Sequence, residues 1–288
     1  MSCLTIVIIT RDRRAGLLRT LDRLAGLPER PAVIVVDNGS ADGTVTAVRE
    51  AHPAVRVVPL EHNHGATARN IGVRLAHTPY VAFSDDDSWW EPGALAHAIE
   101  VFENHPRLGL IAARTLVGPD RIPDPVNAAM ADSPLGVVPG LPGPSVLGFL
   151  ACAAVVRREA FLDAGGFNAL LFFVGEERLL AYDLAAAGWH RCYVPEVVAV
   201  HDPSPRRQSS GARRRTELRN LVLTVWMRRP VAVVLGTSAR LGARALRDGD
   251  ARAALRGAVL RLPMALVQRR RLPGAVESDI RLMIDQWP

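Results

Sequence analysis

Three consecutive carboxylates form the most unusual stretch of this 288-residue sequence. Asp85, Asp86 and Asp87 end an apolar run within YVAFSDDDSWWEPG, at residues 80–93. Adjacent carboxylates repel one another, so they stay ionised together only beside a cation or an arginine. One or two aspartates with room left for phosphates suit Mg²⁺ or Mn²⁺. The stretch therefore predicts either a divalent-cation site or, as the plainer alternative, a solvated acidic turn.

Alternating strand-like and helix-like segments must position these carboxylates. Continuous apolar, β-branched runs predict buried strands at residues 4–10, 32–37, 55–61 and 80–85, with helical periodicity between them. This alternation predicts an α/β fold with a mostly parallel central sheet flanked by helices, whose ligands bind beyond the carboxyl ends of the strands. The polar residues that follow the first, second and fourth strands then meet at one edge of the sheet.

The sequence lacks the glycine loops that bind phosphates in other nucleotide enzymes. G-x-G-x-x-G does not follow the first strand, and G-x-x-x-x-G-K-[ST] does not occur. Dinucleotide redox chemistry and P-loop chemistry are therefore disfavoured, and a nucleotide bound here would depend on a metal. The widely separated Cys3, Cys152 and Cys192 predict thiols in a reducing compartment. With no signal peptide or spanning segment recognised, the expectation is a cytoplasmic protein, with the inner membrane face as an alternative.

Five ordered stretches then carry a family resemblance: LTIVIITRDR, VIVVDNGSADGT, NHGATARNIG, YVAFSDDDSWWEPG and FFVGEERLLAYDLAAAGW. Together they closely resemble the family-2 inverting glycosyltransferases of GT-A fold, over about residues 3–205. The resemblance implies a nucleotide-sugar-binding α/β half at 1–117. It also implies an acceptor-binding and catalytic half at 118–205, which includes a Pro/Gly-rich segment at 118–148 predicted to be an irregular loop or lid. A basic helical region at 206–288 completes the expected organisation.

The resemblance also implies roles for individual residues. Asp85 and Asp87 match the ends of the D-x-D motif, with Asp87 expected to bind Mg²⁺ or Mn²⁺ and Asp85 the metal or a ribose. Asp86 is expected to face the donor sugar, and His201 is either a metal ligand or a structural histidine. The remaining residues expected to contact the nucleotide or donor sugar are Thr10, Arg11, Asp37, Asn38, Ser40, Arg69 and Asn70. Trp89 and Trp90 either stack on a sugar or base or pack beneath the following turn.

The pair Glu176–Glu177 resembles the acidic motif that supplies the catalytic base. The family usually has Asp where this chain has Glu177, so the sequence leaves open which glutamate is the base, and the alignment favours Glu177. One carboxylate must take the proton of the acceptor hydroxyl as that hydroxyl attacks the anomeric carbon. A bound metal stabilises the leaving diphosphate. Without the resemblance, both glutamates are explained as acids in the first turn of a helix.

The region after residue 205 is strongly basic. Between Arg206 and Arg271 there are 17 arginines and three acidic residues. Such helices either contact an anionic membrane surface, supply Arg206, Arg207 or Arg219 to a diphosphate, or form a solvated face. The scarcity of aromatic residues argues against nucleic-acid binding.

These observations favour a metal-dependent inverting glycosyltransferase. It would move a hexosyl or deoxyhexosyl unit from a nucleotide-diphosphate sugar to a hydroxyl of a glycan, a lipid-linked sugar or a small natural product. One alternative is a sugar nucleotidyltransferase, which would be expected to carry a glycine-rich basic loop after the first strand. Another is a catalytically inactive sugar- or membrane-binding relative. The oligomeric state is not predicted by the sequence.

Overall fold

The computed structural model describes residues 3–203 and 210–285. Within them the strands β1–β9 are Leu4–Thr10, Ala32–Asp37, Arg56–Pro59, Tyr80–Asp85, Ser88–Trp90, Leu108–Val117, Ile122–Pro123, Ala154–Arg157 and His190–His201. The helices α1–α7 are Arg14–Ala25, Thr44–Ala51, Ala68–Leu75, Ala94–Asn104, Pro125–Ala131, Arg158–Asp163 and Glu176–Ala186. The helices α8–α12 of the C-terminal region are Ser210–Arg228, Val231–Ala245, Gly249–Val259, Leu262–Val267 and Gly274–Asp285.

The strands form one twisted sheet in the order β3-β2-β1-β4-β8-β6-β9-β5, with β7 paired to β6. β1 pairs in parallel with β2 and β4, and β2 pairs in parallel with β3. The register sets Thr10 opposite Asp37 and Ile9 opposite Asp85, so the polar residues that end these strands lie together. β8 runs antiparallel to both β4 and β6. The predicted α/β architecture is confirmed, with the parallel part at the end that carries the acidic cluster.

Both faces of the sheet are covered, as the continuous apolar runs predict. Every residue of β1 is buried. Successive side chains point to opposite faces, so Val7 and Ile9 join one core cluster while Ile6 and Ile8 join the other. In β1 the apolar run from Ile6 to Ile9 ends at Thr10, which is also the last residue of the strand.

The Pro/Gly-rich segment at 118–148 is more ordered than predicted. It contains β7 and the helix α5. The carboxylate of Asp124 accepts a hydrogen bond of 2.9 Å from the backbone N–H of Val126, and Pro125 occupies the first helical position. An aspartate cap followed by proline is a helix-start signal that the overall Pro and Gly content concealed.

The C-terminal helices pack against the rest of the protein. Leu171 and Leu179 lie in the same apolar cluster as residues of α8, α9, α10 and α11. Arg228 of α8 makes two hydrogen bonds to Asp183 of α7, at 2.6 and 2.9 Å, and both side chains are buried. Arg229 is paired in the same way with Glu277 of α12. In the described ranges no helix combines the length and apolar character needed to cross a membrane.

Candidate active site

A cleft of about 1400 Å³ opens at the carboxyl ends of β1, β2 and β4. Its floor holds the three aspartates, and its walls come from the loop before α7 and from α8. The lining residues relevant to chemistry are Thr10, Arg11, Arg13, Asn38, Asp85, Asp86, Asp87, Glu176, Glu177 and His201. Residues that lie up to 191 positions apart in the sequence therefore converge on one polar cavity.

Asp86 anchors the floor of the cleft. Its two carboxylate oxygens accept hydrogen bonds from the hydroxyl of Thr10 at 2.9 Å and from Nε of Arg13 at 3.2 Å. Burial, opposed by Arg13, raises the pKa of Asp86 to about 7. With both oxygens bound to protein, Asp86 ties β4 to β1 and to the start of α1, rather than presenting a free carboxylate to a ligand.

Asp85 is held by a buried arginine beneath the cleft. Arg69 is 1% exposed, and its Nη2 is hydrogen-bonded to Asp85. Its Nε and Nη1 have no hydrogen-bond partner among the described residues. Burial lowers the pKa of Arg69, but the charges of Asp85, Glu176 and Glu177 outweigh that effect and raise it. Arg69 therefore supplies a fixed positive charge between the acidic cluster and the two glutamates.

Asp87 and His201 lie side by side at the edge of the cleft. Their side-chain atoms Oδ1 and Nε2 are 3.5 Å apart, because β5 and β9 pair with Ser88 opposite His201. Asp87 also receives a 3.0 Å hydrogen bond from Nη2 of Arg13. Over residues 3–203 and 210–285, no three His, Cys, Asp or Glu side chains are grouped as a metal cage. Mg²⁺ and Mn²⁺ in nucleotide sites need only one or two protein ligands besides phosphates and water, so this pair fits the protein share of such a site.

The two glutamates at the start of α7 occupy different environments. Glu176 is 2% exposed, and its Oε2 has no hydrogen-bond partner in the described part of the chain. Burial, together with the neighbouring Glu177, raises the pKa of Glu176 to about 8. Glu177 keeps part of its surface in the cleft, and its pKa is also raised by burial. Both glutamates border the cleft, and Glu177 is the less buried residue of the two.

Replacing Glu176 with Gln is expected to stabilise the protein in a pH-dependent way. The pKa of Glu176 is higher in the folded protein than the ordinary 4.5, so its contribution to stability falls as pH rises from about 4.5 to about 8. Each unit of pKa shift corresponds to about 1.4 kcal/mol. Glu176→Gln stays neutral, so it should gain stability over wild type at alkaline pH and lose that advantage near pH 5. Urea unfolding at both pH values tests this, and a pH-independent difference would contradict it.

The loop that leads into α7 has an unusual backbone. Phe172 and Val174 have φ of 65° and 73°, a region in which a β-branched residue is strained. The buried amide of Asn220 in α8 donates to the carbonyl oxygens of Leu171, Phe173 and Val174, at 2.9, 2.8 and 2.6 Å. Its Oδ1 accepts from Nε of Arg219 at 2.9 Å. A helix of the C-terminal region thus holds the segment that positions both glutamates.

A second contact holds the same loop from the N-terminal half. The backbone N–H of Ala66 donates to the carbonyl oxygen of Phe172 at 2.8 Å. Gly65 has a φ of 61°, and a Cβ there would collide with that carbonyl oxygen. The glycine of NHGATARN is therefore explained by close backbone approach to the strained loop.

Several predicted nucleotide-side residues are placed just behind the cleft surface. Asp37 is 1% exposed, with Oδ1 accepting from the backbone N–H of Ser40 and Oδ2 unpartnered among the described residues. The hydroxyl of Ser40 accepts from the backbone N–H of Asp12. Asn38 lines the cleft and accepts from the backbone N–H of His64. The exposed Arg11 also lines it. Asp37 thus keeps one buried oxygen without a hydrogen-bond partner among the described residues.

Six predicted contact residues do not line the cleft: Asp37, Ser40 and Arg69, which lie behind it, and Asn70, Trp89 and Trp90. The side-chain amide of Asn70 binds the backbone of Phe167 through both of its polar atoms. Its Nδ2 donates to the carbonyl oxygen at 2.8 Å and its Oδ1 accepts from the N–H at 2.9 Å, so this side chain fixes a loop. Trp90 is 1% exposed and packs in the core. Trp89, on the other face of the short strand β5, lies against the guanidinium of Arg23 at 3.6 Å. Both tryptophans therefore contact protein side chains, and as neighbours on a strand they face opposite sides.

Sequence reasoning missed two features of the cleft. Arg13, within the quoted LTIVIITRDR, binds both Asp86 and Asp87, whereas only Arg11 was singled out. The wall formed by α8 was also missed; it includes Arg213, Arg214, Glu217, Leu218, Asn220, Leu221 and Thr224. Arg219 binds the carbonyl oxygen of Leu171 and is outside the lining. Arg206 and Arg207 lie outside the described residues.

Known proteins resemble this chain in sequence and in fold. The "Pre-mycofactocin glycosyltransferase" of Mycobacterium tuberculosis is 33% identical over 212 residues, which are 69% of this chain and 42% of that protein. The chain thus spans about two fifths of that relative's length. The "N-acetylglucosaminyl-diphospho-decaprenol L-rhamnosyltransferase" of the same organism is 28% identical over 232 residues, 69% of this chain and 75% of that protein.

Solved structures support the fold. The mannosyltransferase PcManGT of Pyrobaculum calidifontis, in complex with GDP-Man and Mn²⁺, is 21% identical with a TM-score of 0.59, over 98% of this chain and 86% of that one. TarS of S. aureus, in complex with UDP-GlcNAc, is 15% identical with a TM-score of 0.62, over 98% and 88%. The profile of the family described as "Glycosyl transferase family 2" matches residues 5–164, more than half of the chain. The chain therefore belongs to glycosyl transferase family 2 and has a GT-A-like fold.

Proposed function

We propose that this protein transfers a hexosyl or deoxyhexosyl unit from a nucleotide-diphosphate sugar to an acceptor hydroxyl, with inversion at the anomeric carbon. The observation that carries the proposal is the convergence of Asp87, His201 and Glu177 on one cleft. The donor would lie along the ends of β1, β2 and β4, and the acceptor between α7 and α8. Family membership supports the class of reaction.

The residues divide the chemistry between the two sides of the cleft. Asp37, with its unpartnered Oδ2, would accept a hydrogen bond from the base. Asn38 and Ser40 hold neighbouring backbone N–H groups, and Thr10 holds the carboxylate of Asp86. Asp87 and His201 would hold Mg²⁺ or Mn²⁺ against the diphosphate, where the ion would stabilise the charge that develops on the leaving group. Asp85 would accept from a donor hydroxyl while remaining paired with Arg69.

Glu177 is the proposed base. Its ionised carboxylate would accept the proton of the acceptor hydroxyl while the hydroxyl oxygen bonds to the anomeric carbon from the face opposite the leaving diphosphate. A raised pKa makes a carboxylate a stronger proton acceptor near neutral pH. Glu176 also borders the cleft but is only 2% exposed, so its proposed role is to shape the site.

The alternatives are less well supported by the site. A sugar nucleotidyltransferase would be expected to have a glycine-rich loop after β1, whereas Thr10 is followed by the charged sequence RDRR. A catalytically inactive binding relative would have no need for a carboxylate opposite the proposed metal ligands. Among acceptors, a lipid-linked sugar gains weight from the rhamnosyltransferase relative, whose name specifies a diphospho-decaprenol acceptor.

Donor binding is expected to require a divalent cation. UDP, dTDP and GDP, each with Mn²⁺, should be compared in a thermal-shift screen, in which the donor's own nucleotide raises Tm and EDTA removes the shift. Asp87→Asn should reduce the thermal shift, because a neutral amide is a poorer ligand for Mn²⁺ than a carboxylate. The apparent Mn²⁺ affinity should fall at least tenfold. The exposed Asp120→Asn is a matched control, since Asp120 is outside the cleft lining. Full nucleotide binding in EDTA would refute the metal role, and no shift with any nucleotide would count against the proposed reaction.

A further inference from the structure

An exposed apolar row runs along the N-terminal half of α9. Val231, Ala232, Leu235 and Ala239 are all exposed, and their spacing places them on one side of the helix. Val231 and Leu235 expose 64% and 66% of their surface. A single exposed apolar side chain is ordinary in a soluble domain, but several exposed apolar side chains on one face of a helix mark an interaction surface.

A second apolar row lies at the end of α10 and along α11. Leu260, Met264 and Val267 expose 72%, 53% and 79% of their surface at helical spacing. A shallow, mostly apolar depression of about 320 Å³ lies between α9 and α11, lined by Val231 and Val234 of α9 and by Leu262 and Leu266 of α11. The exposed apolar residues of α9 and of the segment from Leu260 to Val267 are together called the apolar ridge: Val231, Leu235, Leu260, Met264, Leu266 and Val267.

The surroundings of the apolar ridge are strongly basic. Residues 231–276, which contain the whole ridge, include nine arginines and two acidic residues, Asp248 and Asp250. Arg240 lies along α9 with its Nε donating to the carbonyl oxygen of Gly236, next to Leu235. Arg256 is exposed one turn before Leu260, and Arg271 is exposed shortly after Val267. Apolar side chains bordered by arginines are the arrangement of helices that lie in a membrane interface.

We propose that the apolar ridge docks on an anionic lipid bilayer. The apolar side chains enter the boundary between headgroups and acyl chains, while the bordering arginines contact lipid phosphates. A second copy of the chain is a poorer occupant, since a symmetric contact through the ridge would bring arginines against arginines. A bilayer with phosphatidylglycerol instead complements both the apolar and the basic components.

Docking through the ridge would also place the catalytic cleft near the bilayer. Leu221 of α8 lines the cleft, and Trp226 of the same helix lines the apolar depression. Five helical residues span about 8 Å along the axis. If the acceptor of the proposed function is lipid-linked, this position would bring it close to the cleft. Binding to lipid itself requires neither donor nor acceptor.

Vesicle flotation of the full chain tests the proposal. The protein is expected to float with vesicles that contain phosphatidylglycerol and to stay unbound with phosphatidylcholine alone. The triple variant Leu235→Ser, Leu260→Ser and Val267→Ser should lower the partition coefficient by about tenfold per side chain. The triple variant Arg240→Gln, Arg256→Gln and Arg271→Gln should lower it by about fivefold per arginine.

A matched control replaces apolar residues that are equally exposed elsewhere. Ile122 and Val137 expose 61% and 57% of their surface in the segment 118–148, so Ile122→Ser with Val137→Ser should float like wild type. Absence of flotation by wild type with phosphatidylglycerol would overturn the proposal. So would equal flotation of the apolar triple variant and wild type, or self-association in light scattering that this variant abolishes. Because flotation needs no sugar transfer, its failure would leave the proposed reaction standing.

Discussion

Glu177→Gln is expected to lower kcat for sugar transfer by about 10²- to 10⁴-fold, the usual contribution of a general base. The amide keeps the shape of the side chain but cannot accept the proton of the acceptor hydroxyl. Donor binding should be nearly unchanged, because the proposed donor contacts lie at Asp37, Asp85 and Asp87. Steady-state rates and nucleotide titration on the same preparation separate the two effects.

Glu176→Gln is the matched control for this experiment. Both variants exchange a carboxylate for an amide in the first turn of α7, yet Glu176 is 2% exposed and Glu177 borders the cleft. Glu176→Gln should therefore keep much more activity. Glu177→Asp should retain part of the rate, since it preserves a carboxylate with a shorter reach. The base assignment would be overturned if Glu176→Gln lost the larger share of kcat, or if Glu177→Gln turned over like wild type.

The pH dependence of the rate provides a second readout. Burial raises the pKa of Glu177 above its ordinary 4.5, so the base is protonated and inactive over a wider acidic range. The wild-type rate should fall as pH drops, beginning at a pH above 4.5. The residual rate of Glu177→Gln should lack this acid limb. A wild-type rate that stayed constant down to pH 4.5 would be incompatible with the assigned base.

The edge of the sheet that carries the candidate active site was predictable because its determinants are local. The predicted strands at 4–10 and 80–85 match β1 and β4, since a doubly covered strand has a continuous apolar run that ends at a polar residue. Once the strands are parallel, Thr10, Asp37 and Asp85 must share an edge. Predicting the strand ends at this edge required no knowledge of side-chain contacts between distant segments.

Other features depend on turns and pairings that local sequence does not encode. Whether Arg11 or Arg13 reaches the aspartates is decided by the intervening Asp12, whose backbone is left-handed with a φ of 52°. The antiparallel direction of β8 is set by its neighbours β4 and β6, not by its own residues. The helix α5 was concealed by proline and glycine content although its cap was visible in the sequence. The division of the chain at residues 117 and 205 stays a prediction.

The contacts of α8 with the loop before α7 are the clearest example of a feature that local sequence does not encode. Asn220 binds carbonyl oxygens of Leu171, Phe173 and Val174, which lie 46 to 49 positions earlier in the sequence. Nothing in the neighbourhood TELRNLVL distinguishes this asparagine from a surface residue. The arginine content of the region favours roles that depend on charge, whereas three of its hydrogen bonds to the loop before α7 come from the neutral amide of Asn220 and one from Arg219.

Asn220→Ala is expected to lower kcat by about 100-fold with little change in donor affinity. The amide has two hydrogens shared among three carbonyl oxygens. Its removal takes the donor from the partly buried carbonyl oxygens of Phe173 and Val174, at a cost of up to about 1–3 kcal/mol each, whereas Leu171 keeps its bond from Arg219. The strained backbone at Phe172 and Val174 would then relax towards ordinary φ values, moving the start of α7 and both glutamates. A displacement of about 1 Å at a catalytic group is enough for a loss of this size.

A second hydrogen bond of the same helix offers the control for this positioning role. Nε1 of Trp226 donates to the hydroxyl of Ser238 at 2.9 Å, away from the loop, and Ser238→Ala removes that bond. Ser238→Ala should lower Tm modestly and leave kcat unchanged, whereas Asn220→Ala should reduce kcat while the nucleotide-induced thermal shift persists. If both variants lost activity only in proportion to their loss of folded protein, Asn220 would be a stabilising residue and nothing more. A drop in kcat at saturating donor and acceptor, with the protein fully folded, is the result that assigns α8 to the catalytic machinery through its hold on the loop.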